Sequence, residues 1–148
     1  MSSMKMNIRA EGSGQESAPS PITVLTDQQC WQLAQQTSFA RLGTYSQGEI
    51  FITPLNIVAD DSKIFFRTAA GSKLTQLQLE ERVTLEFDKA EGGSAYSVNI
   101  FGTARLLTDS KDLAYAQSLP LTPWVHTEKI EFVEITPLRM TGRRFNLG

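Results

Sequence analysis

The stretch IFFRTAAGSKL at residues 64–74 joins an apolar strand pattern to a turn of small residues and then to the start of a helix. Arg67 ends the predicted strand, and Lys73 falls in the first helical turn, where unpaired backbone N–H groups already carry partial positive charge. Because the hydroxyl groups of Thr68 and Ser72 stand beside these two cations, the stretch predicts a phosphate-binding site. The alternative is a solvated Lys73 on a surface helix, and these residues alone leave it open.

The composition limits the classes of protein to which the chain can belong. Its 148 residues carry a net charge of -2 and a pI of about 5.4, which fits one soluble domain without a general attraction to nucleic acid or anionic membrane. Cys30 is the only cysteine and His126 the only histidine, which excludes an internal disulfide, a thiolate metal cluster and a histidine-rich metal site. No signal-peptide or membrane-span pattern is evident, so we expect a cytoplasmic protein.

The hydrophobic pattern predicts a polar tail followed by a mainly β domain. Residues 1–21 are rich in Ser, Gly, Glu and Pro, which predicts a disordered tail, and residues 22–148 are expected to form one domain. Thr26 and Gln29 make a capping-box pattern that predicts the start of a helix. Strands are predicted at 39–45, 49–59, 63–68, 82–88, 96–108 and 128–144, and further helices at 72–79 and 110–119. This order predicts an antiparallel barrel with short helices on its rim.

Two residues mark expected irregularities in these strands. Pro54 cannot donate a ladder hydrogen bond, so it indicates an edge, a bulge or a place where a ligand approaches the backbone. Gly102 lies inside the predicted strand at 96–108 and indicates a bend or bulge.

Seven motifs occur in an order that resembles a known family. Together they cover roughly residues 24–145. They are FARLGT at 39–44, TPLNIV at 53–58, IFFRTAAGSKL at 64–74, VTLEFD at 83–88, YSVNIFGTARLL at 96–107, LPLTPW at 119–124 and TGRR at 141–144. In this order and spacing, the chain resembles the pyridoxamine 5'-phosphate oxidase-like, flavin-binding split-barrel proteins. More narrowly, it is similar to the bacterial branch that includes the nitroimidazole-resistance proteins.

The resemblance implies a fold, an assembly and a set of binding residues. The fold is mainly β: a six-stranded antiparallel FMN-binding split barrel of Greek-key type, with short α-helices. The assembly is a homodimer that holds the flavin in a groove at its interface. The cofactor-binding residues carried over by motif are Thr53, Pro54, Leu55 and Asn56 along the ring, Arg67 and Thr68 beside the ribityl chain and phosphate, Ser72 and Lys73 on the phosphate, Ser97 near the ring or ribityl chain, and Trp124 over the flavin from the partner subunit.

The resemblance leaves some roles open. The alternative for Trp124 is a loop anchor packed on the barrel, and for Arg143 and Arg144 we favour surface salt bridges. The family usually has a second cation next to the phosphate-binding lysine, but this chain has Ser72 there, and Arg67 is the residue that would replace the charge. The chain also lacks the Arg-x-His motif of the classical oxidase near its C-terminus, so oxidation of pyridoxamine phosphate itself is not expected.

The resemblance implies a flavin-dependent oxidoreductase in which FMN carries the redox chemistry. A missing catalytic histidine or cysteine constellation therefore does not count against an enzyme, and no catalytic residue is assigned. A small-molecule donor would reduce the flavin and a small-molecule acceptor would reoxidise it. The alternatives are a reductase of the same fold that uses the deazaflavin coenzyme, and a non-catalytic flavin or haem carrier, for which His126 is the only imidazole ligand. No nucleic-acid or membrane partner is expected.

Overall fold

The computed structural model describes residues 21–69, 77, 81–121 and 130–148. Within them the chain forms eight β-strands and two α-helices. In chain order these are β1 (Ile22–Val24), α1 (Asp27–Gln35), β2 (Phe39–Ser46), β3 (Glu49–Asn56), β4 (Val58–Asp60), β5 (Lys63–Ala69), β6 (Arg82–Glu91), β7 (Ser94–Leu106), α2 (Ser110–Gln117) and β8 (Ile130–Asn146).

Two predicted segments fall largely outside this description. The predicted tail, up to residue 20, lies outside the described residues. Of the predicted helix at 72–79, only Leu77 is described, and its side chain is buried. Within the described part of the chain, neither helix is long and apolar enough to cross a membrane.

The strands form one antiparallel sheet in the order β3-β2-β6-β7-β8-β5-β4, and β1 pairs with β8. β3 and β4 are adjacent in the chain but lie at opposite ends of this order, so the sheet curls round until its two ends meet. Strands β6, β7 and β8 are neighbours in sequence and in space, and β5 lies beside β8, which is a Greek-key arrangement. The expected antiparallel split-barrel class is confirmed.

The number of strands is eight rather than the expected six. The single strand predicted at 49–59 is two strands, because the chain changes partner between β3, which pairs with β2, and β4, which pairs with β5. The change occurs at Ile57, whose N–H donates to the Ser38 carbonyl at 3.1 Å. Pro54 does not interrupt β3 but lies opposite Arg41, on a strand at the edge of the sheet, where proline is tolerated. The short β1 was not predicted, because three residues carry no readable period.

Glycines define the ends and the bend of the longest strands. β6 extends to Glu91, beyond its predicted end, because Gly92 and Gly93 form the turn to β7 with φ of 61° and 80°. The predicted bulge at Gly102 is confirmed by a register shift between β7 and β8. A Cβ atom there would lie 2.3 Å from the Thr136 carbonyl oxygen, so only glycine fits. β8 continues through residues 136–137 without interruption.

The main core fills the barrel and is closed by α1. The predicted capping box is confirmed, since Thr26 and Gln29 exchange side-chain to backbone hydrogen bonds of 2.9 and 3.1 Å. Cys30 is fully buried, with its Sγ 2.7 Å from the position that a Cβ on Gly142 would occupy. Burial raises the pKa of the Cys30 thiol, and the charge of Asp27 adds to this, so Cys30 is a packing residue rather than a reactive thiolate.

A second, smaller core lies on the outside of the barrel, beneath α2. It holds β5 and β8 against the helix and the segment that follows it, and its aromatic contact is an edge-on pair of Phe65 and Tyr115 with ring centres 5.6 Å apart. Its buried members are Phe65, Leu107, Ala116, Leu121 and Phe132. This core fixes the end of β5, where the residues expected to contact a phosphate begin.

Candidate functional site

The change of partner between β3 and β4 brings two of the predicted binding segments together. Val58 lies opposite Phe65, and continuing that register by two residues places Asn56 beside Arg67. β3 and β5 are in contact at this point. The end of β3, with residues 53–56, and the end of β5, with Arg67 and Thr68, therefore line one opening, which we call the split.

The side chains of β3 alternate between the core and the surface at the split. Leu55 is buried in the main core, so only its backbone is available to a ligand. Pro54 is exposed, whereas Thr53 and Asn56 are half-buried. Because β3 pairs with β2 alone, its other edge provides backbone groups that no strand covers.

Arg67 is the most unusual residue at the split. Its Nε is buried and has no hydrogen-bond partner within the described part of the chain. Its Nη1 donates to the Leu121 carbonyl at the long distance of 3.4 Å, and its guanidinium carbon lies 5.9 Å from the centre of the Phe132 ring. Among the described residues, no acidic side chain forms an ion pair with this guanidinium. A buried N–H group of a cation is costly to leave without an acceptor, so the geometry suits an anionic group at this position.

Thr68 is half-buried beside Arg67, and its hydroxyl donates to the Ala69 carbonyl at 3.3 Å. As neighbours in a strand, the two side chains leave the backbone on opposite faces. The charge available to an anion at the described end of β5 therefore comes from Arg67.

Ser97 lies across the sheet from the split. It pairs with Asp88 on β6, and continuing the registers of β2 with β6 and with β3 carries this row of residues to Asn56 at the end of β3. Three strand spacings are about 14 Å, so the serine side chain does not itself reach the split. The other predicted binding residues, Ser72, Lys73 and Trp124, and also His126, lie outside the described residues.

A network of three charges lies on the outer surface of β2 and β6, and the sequence analysis did not find it. Arg41 contacts Glu86 at 2.8 Å and Asp88 at 3.1 Å, so one guanidinium serves two carboxylates. Burial raises the pKa of Glu86, the charge of Asp88 raises it further, and Arg41 opposes the shift. Arg41 and Glu86 are 45 residues apart and meet only because β2 pairs with β6, so the sequence alone does not predict this network.

An apolar groove of about 450 Å³ lies on the same surface. Its lining is Gly43, Thr44, Tyr45, Ile50, Arg82, Val83, Thr84, Phe101, Gly102 and Leu138. The side chains of Ile50 and Leu138 are 74% and 69% exposed. The groove is not evident from the sequence, because the run from Ile50 to Ile52 is apolar throughout and does not reveal which of its residues point outward.

For Arg143 and Arg144, surface salt bridges were expected. Arg144 lies over the Tyr96 ring, 5.7 Å from its centre, and among the described residues it forms no salt bridge. Among the residues that the structure describes, no group of three or more potential metal ligands occurs.

Comparisons with known proteins agree with the fold. A family model described as pyridoxamine 5'-phosphate oxidase matches residues 26–144. A provisionally assigned pyridoxamine 5'-phosphate oxidase from Corynebacterium glutamicum is 33% identical, with a TM-score of 0.80 over 88% of this chain and 98% of its own. The FAD-binding protein from Mycobacterium smegmatis is 35% identical, with a TM-score of 0.74 over 85% of this chain and 100% of its own.

Two further similarities are more limited. An uncharacterised protein of Mycobacterium tuberculosis is 33% identical over 85 residues, which are 57% of this chain and 77% of the relative. A structure named as a 5-nitroimidazole antibiotic resistance protein, from Bacteroides thetaiotaomicron, has a TM-score of 0.70 over 85% of this chain and 90% of its own. Its identity is 13%, so this likeness is one of fold alone.

Proposed function

Because the chain belongs to the pyridoxamine 5'-phosphate oxidase family, we propose that it is a flavoprotein that binds FMN and acts as a flavin-dependent oxidoreductase. Bound flavin would supply the redox chemistry by accepting and donating electrons. The chain would supply binding, orientation and exclusion of water. The similarity to a protein described as FAD-binding supports a flavin and makes FAD the second candidate cofactor.

The observation that carries the proposal is the buried, unpartnered Nε of Arg67 at the split. A phosphate would satisfy it with a charge-assisted hydrogen bond and would neutralise the guanidinium. In the proposed site, Ser72 and Lys73 join Arg67 around that phosphate, and Thr68, whose side chain leaves the other face of β5, would lie beside the ribityl chain. A ligand without an acceptor at this position would leave the Nε–H of Arg67 unsatisfied.

The proposed ring site uses the end of β3. Leu55 fixes this strand by packing into the main core, so its exposed edge has a defined position. The backbone at residues 53–56 and the amide of Asn56 would contact the polar edge of the ring. Pro54 lies on the exposed side and would limit the approach of water.

The proposed assembly is a homodimer with the flavin at its interface, as the resemblance to the split-barrel family implies. Ser97 is proposed to contact the flavin near its ring or ribityl chain. Trp124 is proposed to cover the flavin from the partner subunit.

We expect the electron acceptor to be a small molecule other than pyridoxamine phosphate, because the chain lacks the Arg-x-His motif of the classical oxidase. The two half-reactions would be reduction of the flavin by a small-molecule donor and transfer to that acceptor. A deazaflavin coenzyme is the alternative that a cofactor screen would detect.

The test is a titration of the apo-protein with FMN, FAD and riboflavin, followed by flavin fluorescence. Riboflavin has the same ring and ribityl chain as FMN but no phosphate. Binding of FMN at least tenfold tighter than riboflavin, about 1.4 kcal/mol, would support a phosphate-anchored site. Equal affinities would contradict the phosphate assignment, and absence of binding by all three flavins would contradict the proposed function.

A further inference from the structure

We infer that Phe132 is a positioning residue of the proposed phosphate site: its ring holds the Arg67 guanidinium in one orientation, and α2 holds the ring. This inference rests on the proposed function for the identity of the ligand, and it goes further by naming what keeps Arg67 in place. Phe132 would not touch the phosphate itself. It would act through Arg67, whose Nε is buried and has no hydrogen-bond partner among the described residues.

Arg67 and Phe132 face each other across two strands. They are directly opposite in the antiparallel register of β5 and β8, so their side chains leave the sheet on the same face. The guanidinium carbon lies 5.9 Å from the centre of the ring, which is within the range of a cation–π contact. A flat ring with few rotamers therefore lies beside a long side chain that has many, and it restricts where the guanidinium can lie.

The hydrogen bond of the guanidinium to Leu121 is a weaker restraint. Nη1 donates to the Leu121 carbonyl at 3.4 Å, which is long for a hydrogen bond. The N–H of Leu121 donates in turn to the Leu119 carbonyl at 2.8 Å, so the carbonyl that meets Arg67 follows a tight turn after α2. Because the bond to Arg67 is long, we expect the ring of Phe132 to supply most of the restraint.

The ring of Phe132 is itself fixed from the side of α2. Only 6% of Phe132 is exposed, and it packs in the smaller core with Leu107, Ala116 and Leu121. Ala116 on α2 is fully buried, so the helix lies close against the barrel at this point. The Phe132 carbonyl also accepts a hydrogen bond of 2.9 Å from the Leu107 N–H, just after the end of β7. The ring is therefore held in place independently of Arg67.

Two ion contacts tie α2 to the same strand. Arg105 on β7 contacts Asp112 of α2 at 3.2 Å and Glu134 of β8 at 2.9 Å. Glu134 is two residues from Phe132 along β8, so the helix, the ring and the strand that carries the ring form one packed unit. A phosphate bound by Arg67 would therefore meet a side chain that is already restrained, and binding would cost less conformational entropy.

The first test follows Arg67 itself in the whole chain without flavin, by nuclear magnetic resonance of the arginine Nε–H groups. Arg67→Met assigns the signal by its loss. A buried and restrained Nε–H exchanges slowly with water, and we expect exchange at least about tenfold faster in Phe132→Leu, because leucine keeps an apolar group in the core but removes the flat ring. Unchanged exchange in Phe132→Leu would overturn the inference.

Phe65→Leu is the matched control, since it removes a ring from the same smaller core. Phe65 is 2% exposed, and its ring packs edge-on against Tyr115. We expect the Arg67 signal of this control to exchange within about threefold of the parent rate. Equal acceleration in both variants would show that any loosening of the core frees Arg67, and would overturn the assignment to Phe132.

Phe132→Tyr is the conservative variant, because it keeps the face of the ring. We expect it to retain the slow exchange of the parent, and fast exchange in a Phe132→Tyr variant with a normal circular dichroism spectrum would overturn the inference.

Flavin titration of the same variants separates this inference from the proposed function. In Phe132→Leu, FMN affinity should fall at least about fivefold, whereas riboflavin affinity should stay within about twofold of the parent. Equal losses for both flavins, or an unchanged preference for FMN, would overturn the inference while leaving the proposed function in place. If no variant binds flavin but Phe132→Leu alone frees the Arg67 Nε–H, the hold of Phe132 on Arg67 is supported and the proposed function is contradicted.

Discussion

Replacing Arg67 by methionine should weaken FMN binding much more than riboflavin binding. Methionine keeps an unbranched stem of similar length beside Phe132 but removes the guanidinium, whose Nε is buried without a described partner. The existing hydrogen bond to the Leu121 carbonyl is long, at 3.4 Å, so little is lost there. The substitution therefore tests mainly the charge.

The expected magnitude follows from the kind of contact that is removed. A hydrogen bond between charged groups contributes about 1.5–3 kcal/mol, which corresponds to a loss of FMN affinity of roughly 10- to 150-fold. Riboflavin lacks the phosphate, so its dissociation constant should change by less than about threefold, under 1 kcal/mol. The apo-protein should be at least as stable to urea as the parent, because a buried N–H group without a described partner has been replaced by an apolar group.

The assay is the fluorescence titration with FMN and riboflavin, run on Arg67→Met and on Arg105→Met as a matched control. Arg105 is also an arginine of the barrel, but Glu134 at 2.9 Å and Asp112 at 3.2 Å already pair its charge. It should therefore contribute nothing to phosphate binding. The reasoning is refuted if Arg67→Met binds FMN as the parent does, or if it loses FMN and riboflavin affinity equally.

Three further substitutions test other parts of the interpretation. Lys73→Ala should also weaken FMN binding at least tenfold, with riboflavin binding unchanged in the same titration; an unchanged FMN dissociation constant would remove Lys73 from the phosphate site. In the folded protein, burial first and Asp88 second raise the pKa of Glu86 above its ordinary value of about 4.5, so the folded state binds more protons above that pH and loses stability as Glu86 ionises. Glu86→Gln should therefore gain stability relative to the parent as urea denaturation is moved from about pH 4 to about pH 7, and the opposite trend would contradict the shift. Gly102→Ala should lower the free energy of unfolding by about 1–3 kcal/mol, because its Cβ would lie 2.3 Å from the Thr136 carbonyl oxygen, and an unchanged denaturation midpoint would show that the bulge can relax.

The sequence predicted local features of the fold well because they depend on few neighbouring residues. The capping box at Thr26 needs only Gln29 three residues later, and the period of two identifies most strands. The bulge at Gly102 was also predictable, since glycine inside a strand is unfavourable unless geometry requires it. The division of the segment at 49–59 was not, because Ile57 changes partner through contacts with β2 and β5 that are remote in the chain.

The candidate site was only partly predictable for the same reason. The sequence placed Arg67 at the end of a strand, but its burial results from Leu121 and Phe132, which lie more than 50 residues away. Likewise, Arg41 meets Glu86 only when β2 pairs with β6. The position of Ser97 relative to the split follows from the pairing of β7 with β6 and of β2 with β3, which no single motif contains.

Two features of the chain affect how it would recognise a phosphate. Ser72 stands where the family usually has a cation, and the Nε of Arg67 is buried. With a serine beside Lys73, the segment after β5 offers one cation fewer than the family usually has, so the proposed site needs charge from elsewhere. Arg67 can supply it because the small core beneath α2 holds the end of β5 in place and leaves the Nε buried, with no hydrogen-bond partner among the described residues. Water screens a charge with a buried Nε less than a fully exposed one, so this arginine can replace the missing cation. On this argument the packing of Phe132 and Leu121 is part of the phosphate site, although neither residue would touch the ligand.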